Sequence, residues 1–125
     1  MLLILSIGLG GFLGSISRYL LGRWVQEALS GHWFPYPTLA VNVVGCLLIG
    51  LLVGITESRS VLSTEVRAFL IVGILGGFTT FSAFGYETVS LARDGQAVAA
   101  AVNVALQVLV GLAAVWIGYS LSQLA

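Results

Sequence analysis

Seven uncharged polar side chains lie inside stretches that are otherwise apolar: Thr38 and Asn42, then Thr79, Thr80 and Ser82, then Asn103 and Gln107. Each carries an O–H or N–H donor and none carries a fixed charge. Such a set suits a small anion in transit: the donors replace its lost hydration, and the absence of full positive charge keeps it from being trapped. The competing role for each is as glue, bonding a hydroxyl or amide to the backbone of a neighbouring helix. Three phenylalanines, Phe78, Phe81 and Phe84, recur every third residue in the same region and are expected along one side of a helix. Packing explains most such stripes, but a ring edge is the positive part of the aromatic quadrupole and can also face an anion.

The segment Gly76-Gly77-Phe78-Thr79-Thr80-Phe81-Ser82-Ala83-Phe84 gathers much of this chemistry at bilayer depth. Backbone that leaves the helical ladder there finds no water, so a break is tolerated only where protein or a wet cavity receives it. Two half-helices are expected, with Gly76 and Gly77 freeing backbone carbonyls near the centre of the span. In two copies related by a two-fold axis, such carbonyls can converge and hold a hard cation through oxygen alone. Arg18 is expected either to draw anions toward a vestibule or to snorkel to the membrane surface. Glu87 is the acid lying well inside the third apolar stretch, which calls for a partner in a second copy or a water-filled opening.

Composition says which elements carry these residues. The chain has 125 residues, 58% hydrophobic and 8% charged. That leaves too few polar side chains to coat a soluble domain. The expectation is an all-α integral membrane protein, residues 1–125 forming one domain with four transmembrane helices at about 2–22, 38–55, 68–91 and 97–121, the third broken near its middle. Trp24, Trp33, Phe34 and Tyr36 suit an interfacial belt, and Arg93-Asp94-Gly95 a tight turn. Glycines four residues apart, Gly10 and Gly14, Gly50 and Gly54, Gly73 and Gly77, allow close helix approach.

An enzyme is not expected. The lone His32 falls in a loop, no metal-ligand cluster or Ser/His/Asp set stands out, and the single Cys46 lies within a span. The apolar N-terminus lacks a basic leader and continues too far for one, so it reads as the first span. With five arginines and no lysine, Arg18, Arg23 and Arg93 flank one face of the membrane and Arg59 and Arg67 the other. So even a balance barely biases orientation. Copies inserted both ways up can then pair as an antiparallel, dual-topology homodimer.

Three stretches carry a resemblance: GGFLGSISRYL at Gly10 to Leu20, TLAVNVVGCLLIG at Thr38 to Gly50, and GGFTTFSAF at Gly76 to Phe84. In this order, in so short a four-span chain, they resemble the small dimeric fluoride channels of the Fluc or CrcB type over essentially the whole length. The resemblance implies a passive, fluoride-selective channel of a microbial cell membrane, inner or plasma, that confers fluoride resistance. It also implies an antiparallel homodimer in the lipid bilayer with two pores and a central structural sodium ion, which backbone carbonyls of Gly76 and Thr79 hold and which is not transported. The paired pore phenylalanines fall on Phe81 and Phe84, the motif asparagine on Asn42, the hydroxyl track on Thr38, Thr80 and Ser82, and the first-helix arginine on Arg18. Asn103 and Gln107 stand on the fourth helix where that family has a tyrosine or amide and then a serine or amide; both retain donors. Phe78 lies outside the paired set and is expected to pack. No nucleic-acid partner is expected.

Two other readings fit four short spans. A small multidrug-resistance type exporter resembles this layout but depends on a glutamate in its first span, and residues 2–22 contain no acid. A purely structural membrane subunit would use the polar residues as interhelical glue alone.

Overall fold

Four apolar stretches fold as four long helices, each long and apolar enough to cross a membrane: Leu2–Ala28, Tyr36–Glu57, Thr64–Arg93 and Ala97–Leu124. The structure is a computed structural model that describes residues 1–59 and 62–124; the side chains of Ser58 and Arg59 fall outside the described set, and with them the expectation that Arg59 flanks the far face. Among the described residues all regular structure is helical. The first helix, α1, covers Leu2–Ala28 and the second, α2, Tyr36–Arg59. The third span comprises α3 (Thr64–Arg67), a π-helical segment (Ala68–Leu75), α4 (Gly76–Phe78) and α5 (Phe81–Arg93), and α6 covers Ala97–Leu124. The 27 residues of α1 rise about 40 Å, against about 30 Å of hydrocarbon. The helices therefore outrun the expected spans at several ends and are long enough to reach the headgroup layers.

Local chemistry accounts for the ends. Pro35 and Pro37 bracket the start of α2, where a missing N–H costs no helical bond. Ser63 caps α3 by accepting from the Val66 amide at 3.3 Å. Past α5 the chain reverses through Gly95, whose φ is +78°. The Gln96 amide donates to the Leu91 carbonyl and the Gly95 amide to that of Ala92, the pair of bonds by which a left-handed glycine closes a helix. The expected turn is therefore present.

Packing pairs α2 with α6, α1 with the π-helical segment and α4, and α5 with α6. All three spaced glycine pairs lie at these crossings. A Cβ on Gly10 would come within 2.6 Å of the Phe69 carbonyl oxygen, one on Gly77 within 2.6 Å of that of Gly11, and one on Gly73 within 2.9 Å of that of Ile7. Gly14 faces the Ile74 carbonyl in the same way and Gly50 that of Val115, while Gly54 faces the side chain of Ser122. Backbones meet directly where apolar surface gives no advantage over lipid.

Two expectations about the third span are corrected. Gly76 and Gly77 stay helical; the residues that leave the ladder are Thr79 (φ −78°, ψ 159°) and Thr80 (φ −150°, ψ 110°). Gly77 serves the crossing with α1, and the extended threonines are held by side-chain bonds that glycine does not have. Phe78 lies before the break and is buried, so it packs, as expected of it singly, but shares no helix face with Phe81 and Phe84.

Candidate functional site

The break exposes backbone groups that the helix would otherwise pair, and Asn42 of α2 receives them. Its Oδ1 accepts from the Thr80 amide at 2.8 Å while its Nδ2 donates to the Thr80 carbonyl at 3.0 Å. The side-chain amide thus pairs with both backbone groups of one residue, much as a residue on a neighbouring antiparallel strand would. This fixes which end of the Asn42 amide is oxygen. Nδ2 also donates to Oε1 of Gln107 at 3.1 Å, which fixes the Gln107 amide in turn. Gln107 Nε2, a buried N–H donor group, is left with no partner among the described residues.

Below the break, the Thr79 hydroxyl donates back to the Leu75 carbonyl at 3.0 Å, and Nη1 of the half-buried Arg18 donates to the Thr79 carbonyl at 3.3 Å. Arg18 is thus turned toward the break and does not snorkel. With Thr38 and Thr80 it borders a cavity of about 180 Å³ between α1, α2 and α5. Above the break, α5 begins in mid-span. Thr80 Oγ1 accepts from the Ala83 amide at 3.2 Å and lies 3.3 Å from Ser82 Oγ. The first amides of a helix point outward without intrahelical partners, and the helix dipole adds to their positive potential. Phe81 and Phe84 stand on this first turn with ring centroids 5.4 Å apart, edge to face. Phe81 is 81% exposed.

Asn42, Thr80, Ser82 and Gln107 are thus brought together, with Thr79 and Arg18 beside them. Thr38 stands at the edge of this group, on the cavity it shares with Arg18 and Thr80, and Asn103 lies outside it. The Thr38 hydroxyl donates to Glu87 Oε1 at 2.6 Å, so the half-buried acid finds one partner within its own chain. Glu87 Oε2 has none among the described residues, and the residue borders an open cavity of about 340 Å³ with Trp33, Tyr86 and Asp94. Asn103 is wholly buried and donates to the hydroxyl of Thr88 at 2.9 Å. Thr88 escaped the sequence reading, because a lone threonine on a helix face looks like any other. Gly76 is exposed. The amide that would ordinarily bond its carbonyl, four residues on, is that of Thr80, which is turned to Asn42.

Residues 5–119 match the family described as CrcB-like protein, Camphor Resistance (CrcB). The chain is 51% identical over 118 residues to the fluoride-specific ion channel FluC of Geobacter metallireducens, covering 94% of each chain. It is 48% identical over 122 residues to that of Pseudomonas fluorescens Pf-5, covering 98% of each, and 41% identical to that of Methylobacillus flagellatus, covering 94% of this chain and 92% of the relative. A family match over nearly the whole length and relatives this similar make the four-helix chain a multi-pass membrane protein that belongs to the CrcB family.

Proposed function

We propose that this protein is a fluoride channel, not an enzyme, and that fluoride passes beside the break in the third span. The observation that carries the reading is the buried Nε2 of Gln107, a neutral donor oriented through Asn42 and left unpaired among the described residues. An anion that sheds water needs such a donor and gains from the positive first turn of α5. The name borne by the relatives, fluoride-specific ion channel, supports the same choice of anion. The hydroxyls of Thr80 and Ser82 extend the donor track. Phe81 and Phe84 offer ring edges, and Thr38 and Arg18 serve its mouth. Movement is passive. A negative cell interior adds about 2.3 kcal/mol per 100 mV of outward drive on a monovalent anion, and fluoride resistance is the physiological result.

The working form is an antiparallel homodimer with two pores. Beside Phe81, exposed to 81%, the exposed Ser82 and the break leave polar groups on a face that hydrocarbon cannot satisfy; a second copy can. A sodium ion braces the two copies without being transported. The carbonyl of Gly76 fits such an ion, since it lacks its ordinary ladder partner, and it lines a cavity of about 260 Å³ with Asn42 and Thr79. The Thr79 carbonyl already accepts from Arg18 and would share in holding the ion with the lone pair that remains. When bound, the ion supplies electrostatic closure of the interface, and oxygen-only ligation suits a hard cation.

The test is fluoride efflux from liposomes containing the purified protein in sodium, started with a potassium ionophore and read with a fluoride electrode. Fast fluoride release over slow chloride release supports the channel. Release no faster than from empty liposomes, by protein that elutes as a folded dimer, overturns it.

A further inference from the structure

Asn103 stands on the same helix as Gln107, one turn away, and carries the same amide, yet its surroundings differ. It is 0% exposed, whereas Gln107 is part-exposed. Its Nδ2 donates to Thr88 Oγ1 at 2.9 Å. That same hydroxyl donates to the Phe84 carbonyl at 2.8 Å. The bonds run in one direction, from α6 through Thr88 to the backbone of the residue that bears one of the two paired rings. One turn further along α5, buried Leu91 rests against Ala99 and Ala100 of α6. Beyond Phe84 toward the break, Phe81 is largely free of its own chain.

We propose that Asn103 is a positioning residue: through Thr88 it ties the α5 turn carrying Phe84 to α6 and so sets where the Phe84 ring stands, without itself touching the anion. This rests on the channel reading above. A hydroxyl bonded to the carbonyl four residues back bends a helix slightly. Locking that hydroxyl from the neighbouring helix makes the bend a fixed part of the site. Asn103 Oδ1, buried without a partner among the described residues, offers an anion nothing, because it is an acceptor.

The proposal separates from direct ligation by experiment. Thr88→Val removes the hydroxyl at constant shape, and Asn103→Leu removes the amide. Each is expected to lower the ratio of fluoride to chloride release from liposomes about tenfold, the size of one net hydrogen bond. The double variant is expected to match either single one, since both cut the same link. Thr88→Ser, which keeps the hydroxyl, should recover the parent ratio. The ratio does not depend on how much protein is folded, so a merely structural loss leaves it unchanged. An unchanged ratio in Thr88→Val overturns the proposal, as do single-variant effects that multiply in the double. If Asn103→Leu does not fold, the Thr88→Val and Thr88→Ser pair decides alone. Parent protein that releases no fluoride would instead overturn the channel reading itself.

Discussion

Asn42 satisfies both backbone polar groups of the extended residue Thr80 in mid-span and orients a third group, the Gln107 amide. A carboxylate in its place keeps the acceptor for the Thr80 amide but turns an oxygen toward two others, the Thr80 carbonyl and Gln107 Oε1. It also sets a negative charge beside the proposed anion route. Asn42→Asp is therefore expected to cut fluoride efflux about a hundredfold, the scale of a like charge a few ångströms away in a partly wet site. The check is liposome efflux from protein that elutes as a dimer, and near-parent flux would remove Asn42 from the route. Phe81 and Phe84 make a different argument, since Ile keeps their apolar character and removes the ring edge. Either Phe81→Ile or Phe84→Ile should impair flux and leave the dimer intact; a double variant with full flux would take the rings out of the mechanism. The placing of Asn42 and these rings on one route was expected from the resemblance their motifs carry, and the donor character of Asn42 was readable in its type. That Asn42 bonds Thr80, 38 positions away, was not, because a residue's type says that it can donate but not which distant peptide has lost its partner.

The four helices follow from hydropathy and length alone, since in lipid an apolar stretch must satisfy its own backbone. The exact site of the break did not follow, because glycine weakens a helix in water but in a membrane also lets helices touch. Here the second effect wins. Gly76 and Gly77 remain helical, and the β-branched Thr79 and Thr80 turn extended with the Thr80 hydroxyl capping α5. Two consequences belong to this scale. Thr80→Val should lose the cap and lower the thermal stability of the folded protein by about 1 kcal/mol. Gly118→Val, at the α2–α6 crossing where any Cβ meets the Leu47 carbonyl, should cost about 2 kcal/mol or more, because backbone on both sides cannot give way as a flexible side chain would. Thermal unfolding in detergent measures both, and a Gly118→Val protein as stable as its parent would mean that the two helices do not cross as closely as described.

Orientation is a property of the whole chain, and the structure makes its charge balance more even than the sequence count suggests. Of the three arginines on one face, Arg18 is half-buried and bonded to the Thr79 carbonyl, so it is part of the site and not a free loop charge. That leaves Arg23 and Arg93 opposing Arg59 and Arg67. Arg23 is exposed, and its ion pair with Glu27 does not cancel its weight, since acidic residues count little in setting topology. With two cations against two, insertion both ways up is the expected outcome, and reporters for each compartment fused to the C-terminus should both give signal. Adding positive charge to one side should then break the tie. Asp94→Lys with Gln96→Lys loads the face that carries Arg93, so that face should remain cytoplasmic in nearly every copy and only one reporter should respond. If the working unit is the antiparallel pair, fluoride efflux from those cells should collapse for want of oppositely oriented partners. It should return when a variant biased the other way, Glu57→Lys with Glu65→Lys, is made in the same cell. Full efflux from the single biased variant would show that antiparallel pairing is dispensable, and a single reporter signal from the parent chain would show that some signal other than its arginines orients it.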